Sequence, residues 1–176
     1  MVLKMEKIIF DQEAINRSLK RIAHEILEKN RSLNDVVLVG IKTRGVFLAE
    51  RLSKLVHQFE NVELPFLALD VRGYRDDVKR ETTASLEEPE MALNEKNVII
   101  VDDVLYTGRT IRAAMEAVLE YGRPRSIQLA TLIDRGHREL PIRADYIGKN
   151  IPTSRTESVN VFLREIDGED LVVIKV

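Results

Sequence analysis

The chain has 176 residues, 44% hydrophobic and 32% charged, with 27 Lys and Arg against 29 Asp and Glu. That length suits a single domain with a full-sized aliphatic core, and the hydrophobic fraction excludes a disordered chain. The absence of cysteine removes disulfides, thiolate catalysis and Cys-ligated metal sites, and a net charge of −2 argues against an indiscriminate nucleic-acid binder.

Met1–Phe10 mixes Lys4, Glu6 and Lys7 with apolar residues and lacks the apolar core of a signal peptide. No apolar run approaches the ~18 residues of a membrane span, so a cytoplasmic protein without membrane contact is expected. Asp11 reads as the N-cap of a helix running to about Asn30. Its apolar residues Ile15, Leu19, Ile22, Ala23, Ile26 and Leu27 follow helical spacing. Arg17, Lys20, Arg21 and His24 fall at i, i+3, i+4 and i+7 and form a basic stripe on the opposite side. A solvated face and an anion-binding face both fit that stripe.

Val36–Gly40 reads as a strand, followed by a helical pattern over Gly45–Phe59. Phe66–Val71 and Val98–Asp102 are two further strands. Thr110–Tyr121 is a helix closed by Gly122 and Pro124, and Ile127–Ile133 is a fourth strand. Apolar strands alternating with helices predict an α/β fold with a parallel sheet covered on both faces. Asp145–Gly148, Val159–Leu163 and Leu171–Ile174 read as a small β-rich appendage of the same domain. Between Arg72 and Lys96 runs a polar stretch; Arg75, Lys79 and Arg80 suit a lid over an anion, and plain surface loop fits equally.

The chemistry concentrates in Val98-Ile99-Ile100-Val101-Asp102-Asp103-Val104-Leu105-Tyr106-Thr107-Gly108-Arg109-Thr110. A central strand ends in two carboxylates, and a Thr-Gly-x-Thr turn then opens a helix. Ligands of parallel sheets bind outside the carboxyl ends of strands. The turn and the helix N-terminus offer N–H groups to a phosphate, Thr107 and Thr110 add hydroxyls, and Gly108 allows close approach. The carboxylates suit sugar hydroxyls beside that phosphate, or a Mg²⁺ that neutralises a diphosphate. Adjacent strand residues point to opposite faces, so the two act together only if the strand ends near Asp102. Phosphate plus diol recognition on one loop specifies a ribose 5-phosphate. The five-residue spacing from Gly40 to Gly45 is not that of an NTPase P-loop, and the late position of the acidic pair disfavours a receiver domain.

These thirteen residues resemble the 5-phosphoribosyl-1-diphosphate (PRPP) signature of the type I phosphoribosyltransferases. Gly40–Gly45, Tyr74-Arg75-Asp76-Asp77, Asp134–Arg143 and Ile147–Ser154 narrow the similarity to the pyrimidine operon attenuation regulators within that family. The resemblance covers nearly the whole chain. It implies one phosphoribosyltransferase domain over residues 1–176, with a central mainly parallel sheet flanked by helices, a lid at about 72–96 and a base-binding hood of short strands at about 135–165. It implies uracil phosphoribosyltransferase activity with Mg²⁺, and binding of leader mRNA favoured by UMP or UTP; a phosphoribosyltransferase acting on uracil or another base without RNA regulation is the alternative. Dimers or higher homo-oligomers are implied too.

Residue by residue, the resemblance puts Lys42, Thr43 and Arg44 on the diphosphate, in a loop that often carries a non-proline cis peptide. Asp102 and Asp103 fall on the ribose diol, with Mg²⁺ held through PRPP, and Tyr106, Thr107, Gly108, Arg109 and Thr110 on the 5-phosphate. Asp102, Asp103 and Arg44 are the catalytic candidates. Tyr146 is expected to stack on uracil and the Ile147 backbone to read its edge, with Asp134, Arg135 and Arg138 as further base-site candidates. RNA contacts are implied for Lys20, Arg21, His24, Arg31, Arg143, Lys149 and Arg155. The charge distribution agrees: residues 17–31 hold five basic and two acidic residues, residues 135–164 six and three, and the remainder is acidic.

Overall fold

The computed structural model describes residues 5–74 and 92–176. The elements are β1 (Glu6–Phe10), α1 (Gln12–Lys29), β2 (Val36–Ile41), α2 (Arg44–Glu60), β3 (Phe66–Leu69), β4 (Asn97–Leu105) and α3 (Arg109–Leu119). Then follow β5 (Ser126–Asp134), β6 (Tyr146–Asn150), β7 (Ser158–Phe162), α4 (Arg164–Asp167) and β8 (Leu171–Lys175). The expected helices and strands are all present. Asp11 caps α1 by accepting from the Ala14 amide at 2.8 Å.

Five strands form one parallel sheet in the order β3-β2-β4-β5-β6. Alternate residues of its central strands supply two cores. Val36, Leu38, Ile99, Val101, Ala130 and Leu132 pack with α1 and α2 on one face. Val37, Val39, Val98, Ile100 and Leu129 pack with Ile111, Ala114 and Ala117 of α3 on the other. Burial on both faces explains why these strands read as continuous apolar runs. It also aligns the carboxyl ends of β2, β3, β4 and β5, where the candidate site lies.

The structure redraws the hood in two respects. Residues 146–150 leave it and become the fifth strand of the main sheet. The N-terminal segment, assigned no element from its sequence, supplies β1, so the hood is an antiparallel sheet ordered β1-β8-β7 together with α4. Of the expected lid, Arg75, Asp76, Asp77, Lys79 and Arg80 lie outside the described residues. Its described flanks are anchored. Tyr74 is buried with its hydroxyl donating to Glu120, its carbonyl accepts from Arg112 Nη2, and Leu93 is buried.

Candidate active site and basic surface

The loop after β2 is fixed by close packing. A Cβ on Gly45 would meet the Val101 carbonyl oxygen at 2.3 Å, so only glycine lets the start of α2 sit against β4. Lys42 and Thr43 are exposed between β2 and α2, and the Lys42–Thr43 peptide is cis. Thr43 makes no side-chain cap, which leaves the first-turn amides of α2 for a ligand. Arg44 opens α2, and its Nη2 donates to both Asp167 oxygens, at 3.0 and 3.1 Å. Its Nε is buried without a hydrogen-bond partner among the described residues. Asp167 was not foreseen from the sequence, because its pairing depends on how the hood folds back onto α2.

The expectation that the strand must end near Asp102 is corrected. β4 continues to Leu105, with Asp102 paired to Thr131. Asp102 Oδ1 accepts the Asp103 amide at 2.9 Å, and Asp103 Oδ1 accepts the Val104 amide at 2.8 Å. Asp102 is buried. That burial, and next the charge and hydrogen bond of Asp103, push its carboxyl well above the ordinary range.

Beyond them, Tyr106, Thr107 and Gly108 lead into α3. Gly108 sits at φ 93° as the N-cap, and Thr107 Oγ1 accepts the Arg109 amide at 3.3 Å. This left-handed glycine aims the first-turn amides of α3, with Thr110, outward. Glu139 and Leu140 donate their amides to the Thr107 carbonyl and brace the loop from behind. Arg109 Nε pairs with Glu139 at 3.3 Å.

Asp134 ends β5 and is buried between the Gly136 amide, at 3.0 Å, and Arg138 Nη2, at 2.6 Å. Arg138 also donates to the Tyr106 carbonyl at 2.7 Å. The Arg135 guanidinium lies 4.0 Å from the centre of the Tyr106 ring, and His137 meets that ring edge-on at 6.1 Å. Arg135 in turn donates to Thr153, Ser154 and Glu157, tying the β6–β7 loop down beside the site.

Tyr146 and Ile147 are not brought to this site. Tyr146 pairs with Ala130, four residues below Asp134, or about 13 Å from the carboxyl end at ~3.3 Å per residue. It is buried under α1, and its hydroxyl is bonded to Gln128 and to Asn30 at 3.1 Å. Burial pushes that hydroxyl up to about 12. It is a core tyrosine with no face for a base. The Ile147 carbonyl accepts from Arg21 at 3.1 Å, so it too is engaged elsewhere.

Residues 6–164 match the model of the phosphoribosyl transferase domain family. The chain is 53% identical to a bifunctional protein PyrR of Pediococcus pentosaceus, covering 97% of this chain and 99% of that protein. It is also 53% identical to one of Bacillus velezensis, over 98% of both. The chain belongs to the bifunctional PyrR family. Among solved structures, the hypoxanthine phosphoribosyltransferase of Trypanosoma cruzi superposes with a TM-score of 0.74 at 22% identity, covering 96% of this chain and 95% of that one. That likeness shows the fold: an α/β phosphoribosyltransferase with a central parallel sheet.

In this PyrR-family chain the seven basic residues expected to contact RNA are all exposed, but they fall in different places. Arg21 and Lys149 line an open groove of about 360 Å³ with Arg17, Ser18, Ala14 and Phe10, and Lys149 lies 5.3 Å from the Phe10 ring centre. Arg21 is docked rather than free, donating to the Ile147 and Gly148 carbonyls and to Glu25. Lys20 and His24 lie on the exposed part of α1, where His24 stacks on Phe59 at 4.2 Å. Arg31 follows the end of α1 and Arg143 precedes β6, at the amino ends of the strands. Arg155 stands in the β6–β7 loop, on the side of the candidate active site. Among the described residues no helix is long and apolar enough to cross a membrane.

Proposed function

We propose that the chain is a bifunctional regulator of pyrimidine biosynthesis. It forms UMP and diphosphate from uracil and PRPP, and it binds pyrimidine operon leader mRNA in response to uridine nucleotides, UMP or UTP, to attenuate transcription. The observation that carries this reading is the 53% identity to bifunctional PyrR proteins over essentially the full length. The geometry supports it, because one edge of the sheet gathers a phosphate turn, an acidic pair and two basic loops.

In this reading the amides of residues 107–110 and the Thr107 and Thr110 hydroxyls hold the 5-phosphate. Asp102 and Asp103 accept from the ribose hydroxyls. The 42–44 loop faces the diphosphate, where Arg44 is the one cation already braced by the hood. Asp134, Arg135 and Arg138 close the base side. Orientation of the two reactants is the protein's main contribution.

Phosphoribosyltransferases generally use Mg²⁺ with PRPP. The acidic pair suits such an ion, whereas the described residues contain no cluster of three or more His, Asp or Glu able to hold one alone. Asp102 and Asp103 are the residues that would hold the ion together with PRPP, and when bound it would supply charge neutralisation for the departing diphosphate. The RNA contacts of this reading are Arg21 and Lys149 at the groove, Lys20 and His24 on α1, and Arg31, Arg143 and Arg155 apart from it, in a cytoplasmic homo-oligomer, dimeric or larger.

The test pairs two assays on the same preparation. With uracil, PRPP and Mg²⁺ the protein makes UMP, and it shifts a pyrimidine-leader hairpin more strongly when UMP is present. Turnover with hypoxanthine or orotate in place of uracil contradicts the substrate. Equal shifts of leader and scrambled hairpins contradict the regulatory half.

A further inference from the structure

Three arginines close the candidate active site, and they differ in what neutralises them. Arg44 is paired with Asp167, and Arg138 with Asp134. Arg135 is only 7% exposed, yet among the described residues its guanidinium donates solely to neutral acceptors: Thr153 Oγ1 at 3.2 Å, the Ser154 carbonyl at 3.2 Å and the Glu157 carbonyl at 2.7 Å. Among the described residues no carboxylate lies within ion-pair distance of it. The face of Tyr106, 4.0 Å away, compensates only weakly. A buried cation without a counter-charge is costly, and the neighbouring arginines show that this chain supplies carboxylates where it needs them.

Its position says what completes it. The Arg135 amide donates to the Leu105 carbonyl at 3.1 Å, so the residue stands where the phosphate turn leaves β4, one residue past the carboxyl end of β5. The phosphates of PRPP have their own donors in residues 42–44 and 107–110. The negative charge still to be placed belongs to the base. When uracil N1 attacks C1′, the N1–H bond breaks and leaves its electron pair on N1. The N1–C1′ bond forms, the C1′–O bond breaks with its pair departing on diphosphate, and the proton goes to solvent water. Charge develops on the uracil ring and its two carbonyl oxygens. Asp134 cannot serve as the base while the Arg138 side chain and the Gly136 amide occupy it.

We propose that Arg135 is a catalytic cation for the nucleobase, stabilising the uracil anion that forms as N1 attacks. This rests on the uracil phosphoribosyltransferase reading and adds to it a route to the nucleophile that needs no side-chain general base. A planar guanidinium also suits the planar, oxygen-edged anion better than an ammonium does.

The test compares uracil with 5-fluorouracil, whose ring N–H is more acidic, in the unaltered protein, Arg135→Gln and Arg135→Lys, with thermal unfolding run alongside. Arg135→Gln lowers kcat/KM for uracil about 100-fold, the scale of losing one preorganised charge-stabilising donor, and lowers that for 5-fluorouracil only about 10-fold. Arg135→Lys, which keeps the charge, lowers both equally. Equal losses for the two bases in Arg135→Gln overturn the proposal and leave Arg135 as a clip for the β6–β7 loop, as does unchanged turnover. An unaltered protein that makes no nucleotide from either base defeats the uracil reading itself.

Discussion

Asp102 and Asp103 are consecutive residues of a strand whose pleat should send them to opposite faces, and each carboxylate accepts the amide of the next residue, Asp103 at 2.9 Å and Val104 at 2.8 Å. Burial, and then the neighbouring charge, raises the Asp102 pKa, so the folded state binds more protons than the unfolded one between the ordinary carboxylate value and the raised one. Stability therefore falls as pH rises through that window. Asp102→Asn removes this cost: it should raise the thermal midpoint at neutral pH while cutting UMP formation, and the gain should vanish in acid. A lower midpoint at neutral pH contradicts this account of the pair. The double substitution Asp102→Asn with Asp103→Asn should abolish turnover in a folded protein. Tyr146 gives the converse case. Because its hydroxyl belongs to the Asn30–Gln128 network under α1, Tyr146→Phe should cost about 1–3 kcal/mol of stability, read by denaturant unfolding, and leave the KM for uracil unchanged.

Elements are where the hood is joined to the body. Arg44 and Arg51 stand seven residues apart, two turns along one face of α2, and both grip the segment that carries α4. Arg51 is buried and donates to Glu165 at 2.8 and 2.6 Å and to Asp170 at 3.0 and 2.7 Å. The Arg51 hydrogen bonds hold Glu165 below its ordinary range. For Asp170 burial pulls upward, and the hydrogen bonds and charge of Arg51 outweigh it, so it too ends lowered. Such depressed carboxylates contribute stability that is present above their unfolded pKa values and lost as pH falls through the folded ones. Arg51→Met should cost about 3–5 kcal/mol at neutral pH and flatten the acid limb of the stability curve. An unchanged midpoint would show that the clasp holds nothing. None of this could be read from spacing, because Arg51 lies more than a hundred residues from Glu165 and Asp170, and all three look like ordinary surface charges. β1 was equally illegible: Glu6–Phe10 is a strand only because β8 pairs with it. The helices and buried strands were legible because each carries its burial in its own period, and the PRPP loops because each is local. Tyr146 and Ile147 were misplaced because their role depended on whether residues 146–150 join the hood or the main sheet.

Across the whole molecule, near-neutral net charge conceals separation. The carboxyl edge of the sheet gathers the acidic pair and the anion loops, while Arg17 and Arg21 of α1 and Lys149 of β6 line the groove beside Phe10. Lys20→Ala with Arg21→Ala should weaken leader-hairpin binding and reduce its salt dependence by about one unit of log–log slope for each phosphate no longer neutralised, with turnover preserved. Because β6 joins the main sheet and is gripped by Arg21, the two surfaces share one rigid element. In the proposed function RNA binding responds to the product of the transfer reaction, so hairpin affinity titrated with UMP is the decisive measurement. UMP is expected to tighten binding in the unaltered protein, and Asp102→Asn with Asp103→Asn is expected to lose this response while still binding the hairpin. Hairpin affinity indifferent to UMP in the unaltered protein, or an undiminished response in the double variant, would contradict this reading.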